Sequence, residues 1–255
     1  MKICAIYNTW LDGMDLIQKS IRNIHPVVDG IIVVHSELSN NFLQSDGHYI
    51  NVLKEDLKDI KINYVQCEPY ANTLHQNELN KRNTGLEAAK LDGYTHFIMM
   101  DNDEFYNQKE FLEAKKYIQG TDLLGLVGAS KVYFKTPTLT IGLDRTLVPS
   151  IHVLQRGAAY TLNNKIYPFA YNSEGNAVID PTRRLNYRSK IGWHGMICHH
   201  YSWVRNDYDL KIEYSSASGN IKKSTIREDL EKAKPGYYCQ FYRKELQTCD
   251  NYFNI

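Results

Sequence analysis

Four polar residues in a row, Asp101-Asn102-Asp103-Glu104, follow directly on the apolar run Phe97-Ile-Met-Met100. Two carboxylates one residue apart can share a hard divalent cation and the diphosphate oxygens that such a cation bridges. A helix cap is the competing use, because Phe111, Ala114 and Ile118 recur downstream at helical spacing. A cap needs one such residue, and this stretch carries three carboxylates in four positions. Asp101 and Asp103 are therefore read as metal ligands, with Asn102 beside them for a bound donor and Glu104 available for proton transfer.

A second chemically dense stretch runs from Asp180-Pro-Thr-Arg-Arg184 to Trp193-His-Gly-Met-Ile-Cys-His-His200. Three histidines within seven residues, among Trp193, Tyr201 and Trp203, point to a site more than to separate surface positions. Neighbours on an extended strand face opposite ways, so at most one of His199 and His200 can enter it. A neutral imidazole suits Mn²⁺ beside carboxylates, and Mg²⁺ less. Arg183, Arg184 and Arg188 add planar guanidinium donors that match phosphate oxygens, or acidic surface partners.

Elements that would position these residues alternate over the first hundred positions. Lys2 to Tyr7 reads as a strand, and Met14, Ile17, Ile21 and Ile24 mark a helix face. Gly30 to Val34 is a buried strand and Glu37 to Gly47 a loop. Ile50, Leu53, Leu57 and Ile60 form a second helical stripe before a strand at Ile62 to Gln66. Thr73-Leu-His-Gln76 is a capping box opening a helix through Leu79, Leu86 and Ala89. The strand Thr95 to Met100 then delivers the acidic run. Such alternation predicts a parallel sheet, whose ligands sit beyond the carboxyl ends of its strands. Four loops converge there: Asn8 to Asp12, His35 to Asn40, Cys67 to Asn72 and Asp101 to Glu104. Asn8, Thr9 and Asp12 could bond a base or ribose, although Asn8 serves a turn equally well. Lys81 and Arg82 could meet a diphosphate from their helix, or form a solvated face.

Beyond this point the pattern is less regular. Asp122 to Ala129 and Lys131 to Lys135 read as two strands joined at Ser130, and Thr136 to Pro149 as a turn-rich connection. Ile151 to Gln155 and Lys165 to Phe169 suggest an antiparallel pair turning at Asn163-Asn164. Thr225-Ile-Arg-Glu228 is a second capping box, before a helix that ends near Lys234-Pro235-Gly236.

The chain has 255 residues, enough for one α/β domain with a full core, and a formal charge of +1. That charge argues against a general basic field for gripping nucleic acid. Five cysteines without metal spacing fit a reducing compartment. No apolar run reaches the length of a membrane span. The expectation is a cytoplasmic protein.

Asn8 after the first strand, Lys81-Arg82-Asn83-Thr-Gly-Leu-Glu-Ala-Ala89, and Phe97-Ile-Met-Met-Asp-Asn-Asp-Glu-Phe105 together resemble family 2-like glycosyltransferases of the GT-A fold. The resemblance covers the first half and part of the second, where Arg184-Leu185, Trp193-x-Gly195 and the histidines are similar to a later block. It implies a Rossmann-like, mostly parallel sheet with helices on both faces and a smaller antiparallel extension. No linker separates the two halves, so one domain over 1–255 is expected, and the resemblance makes 1–104 its nucleotide-sugar half and 105–255 its acceptor-side half. Asp101 and Asp103 would bind Mn²⁺ or Mg²⁺, and His200, or His199, would complete the shell. Asn8, Thr9, Asp12, Lys81, Arg82, Asp101, Asn102 and Arg184 would hold the donor. One departure is that Val34-His35-Ser36-Glu37 stands where the family has an Asp after the second strand. The resemblance therefore carries no nucleoside role to that position.

The expected reaction moves a sugar from a nucleoside diphosphate sugar to an acceptor hydroxyl, with Asp180 as base and Glu104 and His194 behind it. A glycan acceptor is placed ahead of a hydroxylated base in DNA on account of the near-neutral charge. A sugar-phosphate nucleotidyltransferase would need an early glycine-rich phosphate loop, which is absent. The alternative of another class is a non-catalytic nucleotide-sugar or carbohydrate-binding module.

Overall fold

A computed structural model describes residues 1–11, 13–40, 42–214 and 223–255. The first strands are β1 (Ile3–Thr9), β2 (Gly30–His35), β3 (Ile62–Gln66) and β4 (His96–Met100). Between them run α1 (Met14–Ile24), α2 (His48–Asp56) and α3 (Leu74–Leu91). All four strands pair in parallel in the order β3-β2-β1-β4. Alternation along β1 sends Ile3, Ala5 and Tyr7 into one buried cluster and Cys4 and Ile6 into another. The first cluster takes Ile17, Ile21 and Ile24 of α1, and the second takes Leu79, Leu86 and Ala89 of α3. Helices therefore cover both faces. Gly85 lets α3 sit close, since a Cβ there would lie 2.4 Å from Ile6 Cγ2.

Thr73 caps α3 as its sequence box predicts, accepting from the Gln76 amide at 3.2 Å. The α2 helix stops at Asp56, so Leu57 and Ile60 reach the core from the turn beyond it.

After β4 come β5 (Glu104–Tyr106), α4 (Gln108–Gln119), β6 (Gly125–Phe134) and β7 (Thr136–Val153). These are followed by β8 (Ile191–Trp193), β9 (Cys198–Trp203), α5 (Tyr208–Tyr214) and α6 (Lys223–Lys232). Short strands β10 (Tyr238–Cys239), β11 (Lys244–Glu245) and β12 (Gln247–Thr248) close the chain. The sheet continues β4-β7-β6-β9-β5, with β8 on β6 and β12 on β7, while β10 and β11 form a small antiparallel sheet. This mixed α/β architecture is GT-A-like.

Four expectations for this half are corrected. β6 is continuous through Ser130, and Thr136 to Pro149 belongs to the 18-residue strand β7. The two make one long bulged hairpin. Residues 165–169 form turns, with no strand. Thr225 lies inside α6, which starts at Lys223. In the hairpin a long cross-strand ladder outweighs local propensity.

Candidate functional site

Met100 ends β4 buried, and the chain then turns tightly. The Glu104 amide donates to Asp101 O at 3.2 Å, and the Asp101 amide donates to Glu104 Oε2 at 3.0 Å. The cap of α4 is Asn107, whose Oδ1 accepts from Lys109 and Glu110 amides. Capping is thus performed downstream, and the acidic turn is left for other partners. β5 pairs with β9 in the register Glu104↔His200, Phe105↔His199, Tyr106↔Cys198. Residues opposite each other share a face, so His200 stands with Glu104 and His199 with Phe105.

That register separates the two histidines. His200 Nε2 lies 3.2 Å from Asp103 Oδ1. Burial would lower its pKa, but the Asp103 carboxylate more than offsets this and holds it above its ordinary value. His199 instead packs among Tyr133, Tyr252 and Phe253, with Nδ1 2.7 Å from Tyr133 Oη. Burial pushes its pKa down to about 4.

Asp103 is 3 % exposed and its second oxygen, Oδ2, meets Lys211 Nζ at 2.7 Å and Arg205 Nη2 at 3.3 Å. Burial alone would raise its pKa; Lys211, His200 and Arg205 instead keep it well below the usual carboxylate range. Asp101 is engaged differently. Arg183 Nη2 lies 2.5 Å from its Oδ2, and Arg82 Nη2 lies 3.3 Å from its Oδ1. These guanidinium groups outweigh burial and depress its pKa. The same Arg183 nitrogen reaches Glu104 Oε1 at 2.6 Å. Glu104 is 1 % exposed, and burial raises its pKa against the pull of Arg183.

The loops from β1 and α3 close the turn from the other side. Asn102 Nδ2 donates to Thr9 Oγ1 at 2.9 Å, and Lys81 Nζ to Thr9 O at 3.4 Å. Asn8 Nδ2 faces Met99 Sδ, while its buried Oδ1 has no hydrogen-bond partner among the described residues. Arg82 also pairs with Glu78 Oε1 at 2.6 Å. Gly13 has φ +72° and faces the guanidinium of Arg205, where a Cβ would stand 2.6 Å from Nη2. Asp207 Oδ2 accepts from the Gly13 amide at 2.9 Å, joining this loop to the segment after β9.

The structure therefore brings Thr9, Lys81, Arg82, Asp101, Asn102, Asp103, Glu104 and His200 together, with Asn8 adjacent. Asp12 lies outside the described residues. Arg184 is not in the cluster: its guanidinium sits 5.1 Å over the Tyr171 ring, and Arg183 enters instead because the short helical turn at Pro181–Arg183 aims it inward. Asp180 is exposed and caps that turn, accepting from Thr182 N at 2.7 Å. His194 is held apart beside Tyr117, its Nδ1 accepting from the Met196 amide. Sequence reasoning missed Glu78, Lys211 and the role of Arg205. Arg205 ends the histidine-rich stretch and was visible as a cation there; Lys211 carried no local signal.

A divalent cation can be tested against these donors. Asp103 Oδ1 and His200 Nε2 are a carboxylate–imidazole pair 3.2 Å apart, a separation that adjacent ligands of an octahedral cation with bonds of about 2.1 Å also have. Among the described residues no three His, Cys, Asp or Glu side chains gather as ready ligands. Asp103 and His200 are the two donors whose chemistry would suit such a cation; Asp103 Oδ2 is at the same time engaged by Lys211 and Arg205. Asp101, expected as a ligand, has both oxygens engaged by arginines here. Lys211 and Arg205 pair with Asp103, while Arg183 and Arg82 pair with Asp101, so ammonium and guanidinium groups of the kind that bind phosphate line the turn, each already matched to a carboxylate.

No protein-family model matches the chain, and no curated protein does. Among solved structures, Staphylococcus aureus TarS 1–349 overlaps 91 % of this chain and 71 % of its own, at 12 % identity and a TM-score of 0.47. The same protein in complex with UDP overlaps 52 % of this chain at 15 % identity and a TM-score of 0.40, and the UDP-GlcNAc complex does the same. The chain spans 36 % and 35 % of those two structures. Overlap at this level identifies neither family nor activity. No helix among the described residues is long and apolar enough to cross a membrane.

Proposed function

We propose that the chain is a glycosyltransferase that moves a sugar from a nucleoside diphosphate sugar to an acceptor hydroxyl, with a glycan ahead of modified DNA as acceptor. The observation that carries this reading is the corner formed by Asp103 and His200 inside a ring of Lys211, Arg205 and Arg183, at the carboxyl edge of the parallel strands. Asp103 and His200 would hold Mn²⁺ or Mg²⁺, which when bound supplies Lewis-acid stabilisation of the leaving diphosphate. Lys211 and Arg205 would bond its oxygens. Lys81 and the Asn8–Thr9 loop would bind and orient the nucleoside end.

In transfer, the bond from the anomeric carbon to the diphosphate oxygen breaks and its electron pair stays with that oxygen. The acceptor oxygen bonds the same carbon and loses its proton. A carboxylate on the acceptor side would take that proton; Asp180, the base expected from the sequence, is exposed and caps the Pro181–Arg183 turn. Glu104 is disfavoured, since both oxygens are engaged by Arg183 and the Asp101 amide; it would rather hold Arg183 in place.

The test is titration with UDP, GDP, ADP and CDP, with and without Mn²⁺, followed by sugar release from the matching donors. Metal-assisted binding and release of a nucleoside diphosphate support the reading. Release of pyrophosphate from a nucleoside triphosphate and a sugar phosphate would instead identify a nucleotidyltransferase. Binding of a nucleoside diphosphate or saccharide without turnover would identify a binding module.

A further inference from the structure

A cleft opens beside the acidic turn, between the tip of the β6–β7 hairpin, the start of α5 and one face of α6. It has a volume of about 220 Å³ and is lined by Lys135, Trp203, Arg205, Tyr208, Leu230 and Glu231. Two of its surroundings lead directly to Asp103. Arg205 lines the cleft and places Nη2 3.3 Å from Asp103 Oδ2. Lys211 Nζ lies 5.7 Å over the Trp203 ring and 2.7 Å from the same oxygen. A molecule seated in the cleft is thus one side chain away from the proposed diphosphate corner.

The lining has a definite chemistry. Trp203 spends its indole N–H on Tyr242 Oη at 2.9 Å, which leaves the ring as an apolar wall. Tyr208 is 38 % exposed and offers a second aromatic surface with a hydroxyl tip. Leu230 completes the apolar side, while Lys135 and Glu231 contribute charged groups at the exposed edge and Arg205 one at the buried end. Lys135 is held at φ +63°, a left-handed conformation that a non-glycine residue rarely adopts. Its amide donates to Trp203 O and its Nζ to Glu231 O, so the hairpin tip is tied to both neighbours. Apolar walls with a few fixed polar groups suit a compact, hydroxyl-rich ring that shows one apolar face and several hydrogen-bonding edges.

We infer that this cleft is the acceptor subsite and that it takes a single sugar ring. The inference rests on the transfer reading and narrows it to a saccharide acceptor. A DNA base would need a longer approach lined by cations for the flanking phosphates.

The test uses the full chain with diamagnetic Mg²⁺ and the nucleoside diphosphate that binds best, and screens a panel of methyl glycosides by saturation-transfer NMR. A subset of these sugars is expected to bind. Tyr208→Ala should weaken their binding roughly tenfold, while the affinity for the nucleoside diphosphate stays unchanged. Leu230→Trp, which fills the cleft, should abolish sugar binding, and the exposed Tyr208 variant guards against a folding defect in Leu230→Trp. Sugar binding that neither substitution alters would overturn the subsite while leaving the transfer reading in place. Failure of every glycoside to bind would also overturn it. Failure of any nucleoside diphosphate to bind would overturn the transfer reading itself, and the subsite with it.

Discussion

His199 and His200 are adjacent in sequence and opposite in environment, and this is where the account is sharpest at the residue scale. His200→Ala should remove Mn²⁺ affinity measured in the presence of a nucleoside diphosphate, with little loss of melting temperature. His199→Ala should keep metal affinity and lose stability, because it empties a buried stack against Tyr133 and Tyr252. Equal, small losses of metal affinity in both would take histidine out of the site. Asp103 is a different case. Its side chain offsets Lys211, Arg205 and His200 in a buried setting, so Asp103→Ala leaves cations uncompensated and should lower stability by roughly 3–5 kcal/mol. Asp103→Asn keeps the volume and is the better probe of chemistry. Sequence alone revealed the acidic run and the histidine pair, since both are contiguous. It could not show which arginine of Arg183-Arg184 turns inward, because that depends on the short turn capped by Asp180.

Among the elements, the turn between β1 and α1 is constrained twice over at Gly13. Gly13 combines a left-handed backbone with direct approach of the Arg205 guanidinium. Gly13→Ala should lower stability by about 1 kcal/mol from backbone strain. Its methyl group should also push Arg205 off Asp103, weakening nucleoside diphosphate affinity severalfold. Calorimetric titration checks the second effect and thermal unfolding the first. A variant with wild-type affinity would show that Arg205 has no part in binding. The strands β1 to β4 and helices α1 and α3 were legible because their apolar periods are strong and their joins short. The β6–β7 hairpin was not. Its strands are long, bulged and half-polar, and their partners lie in the distant segments β8, β9 and β12. Lys211 was invisible for the same reason: only the pairing of β9 with β5 and β6 brings α5 to the acidic turn.

For the whole molecule, pH offers a test of the core that is independent of the site. His152 is fully buried between Ser150 O and Tyr167 Oη, and burial lowers its pKa to about 4. In the unfolded chain the same ring titrates near its ordinary value of about 6.5. The unfolded state therefore takes up the proton first as pH falls. Stability is complete above about pH 6.5 and drops through the window down to about 4, by as much as about 3 kcal/mol for this one group. His199 acts in the same direction. His200 is raised, so its stabilising share is complete on the acid side and is lost only as pH rises through its folded value; it does not flatten the acid limb. Urea unfolding at pH 7 and pH 5 should show this drop, and His152→Gln should flatten it by roughly half. An unchanged slope in that variant would place the acid sensitivity elsewhere. The central claim, that the Asp103–His200 corner handles a metal-bound diphosphate leaving group, is tested most directly by nucleoside diphosphate release from a panel of donor sugars. Wild-type protein is compared with Asp103→Asn, each with Mn²⁺ and with chelator. The account predicts release by wild type with Mn²⁺, and a loss of about 10²–10³-fold both on chelation and in the variant. Release at the wild-type rate by Asp103→Asn, or in chelator, would contradict it.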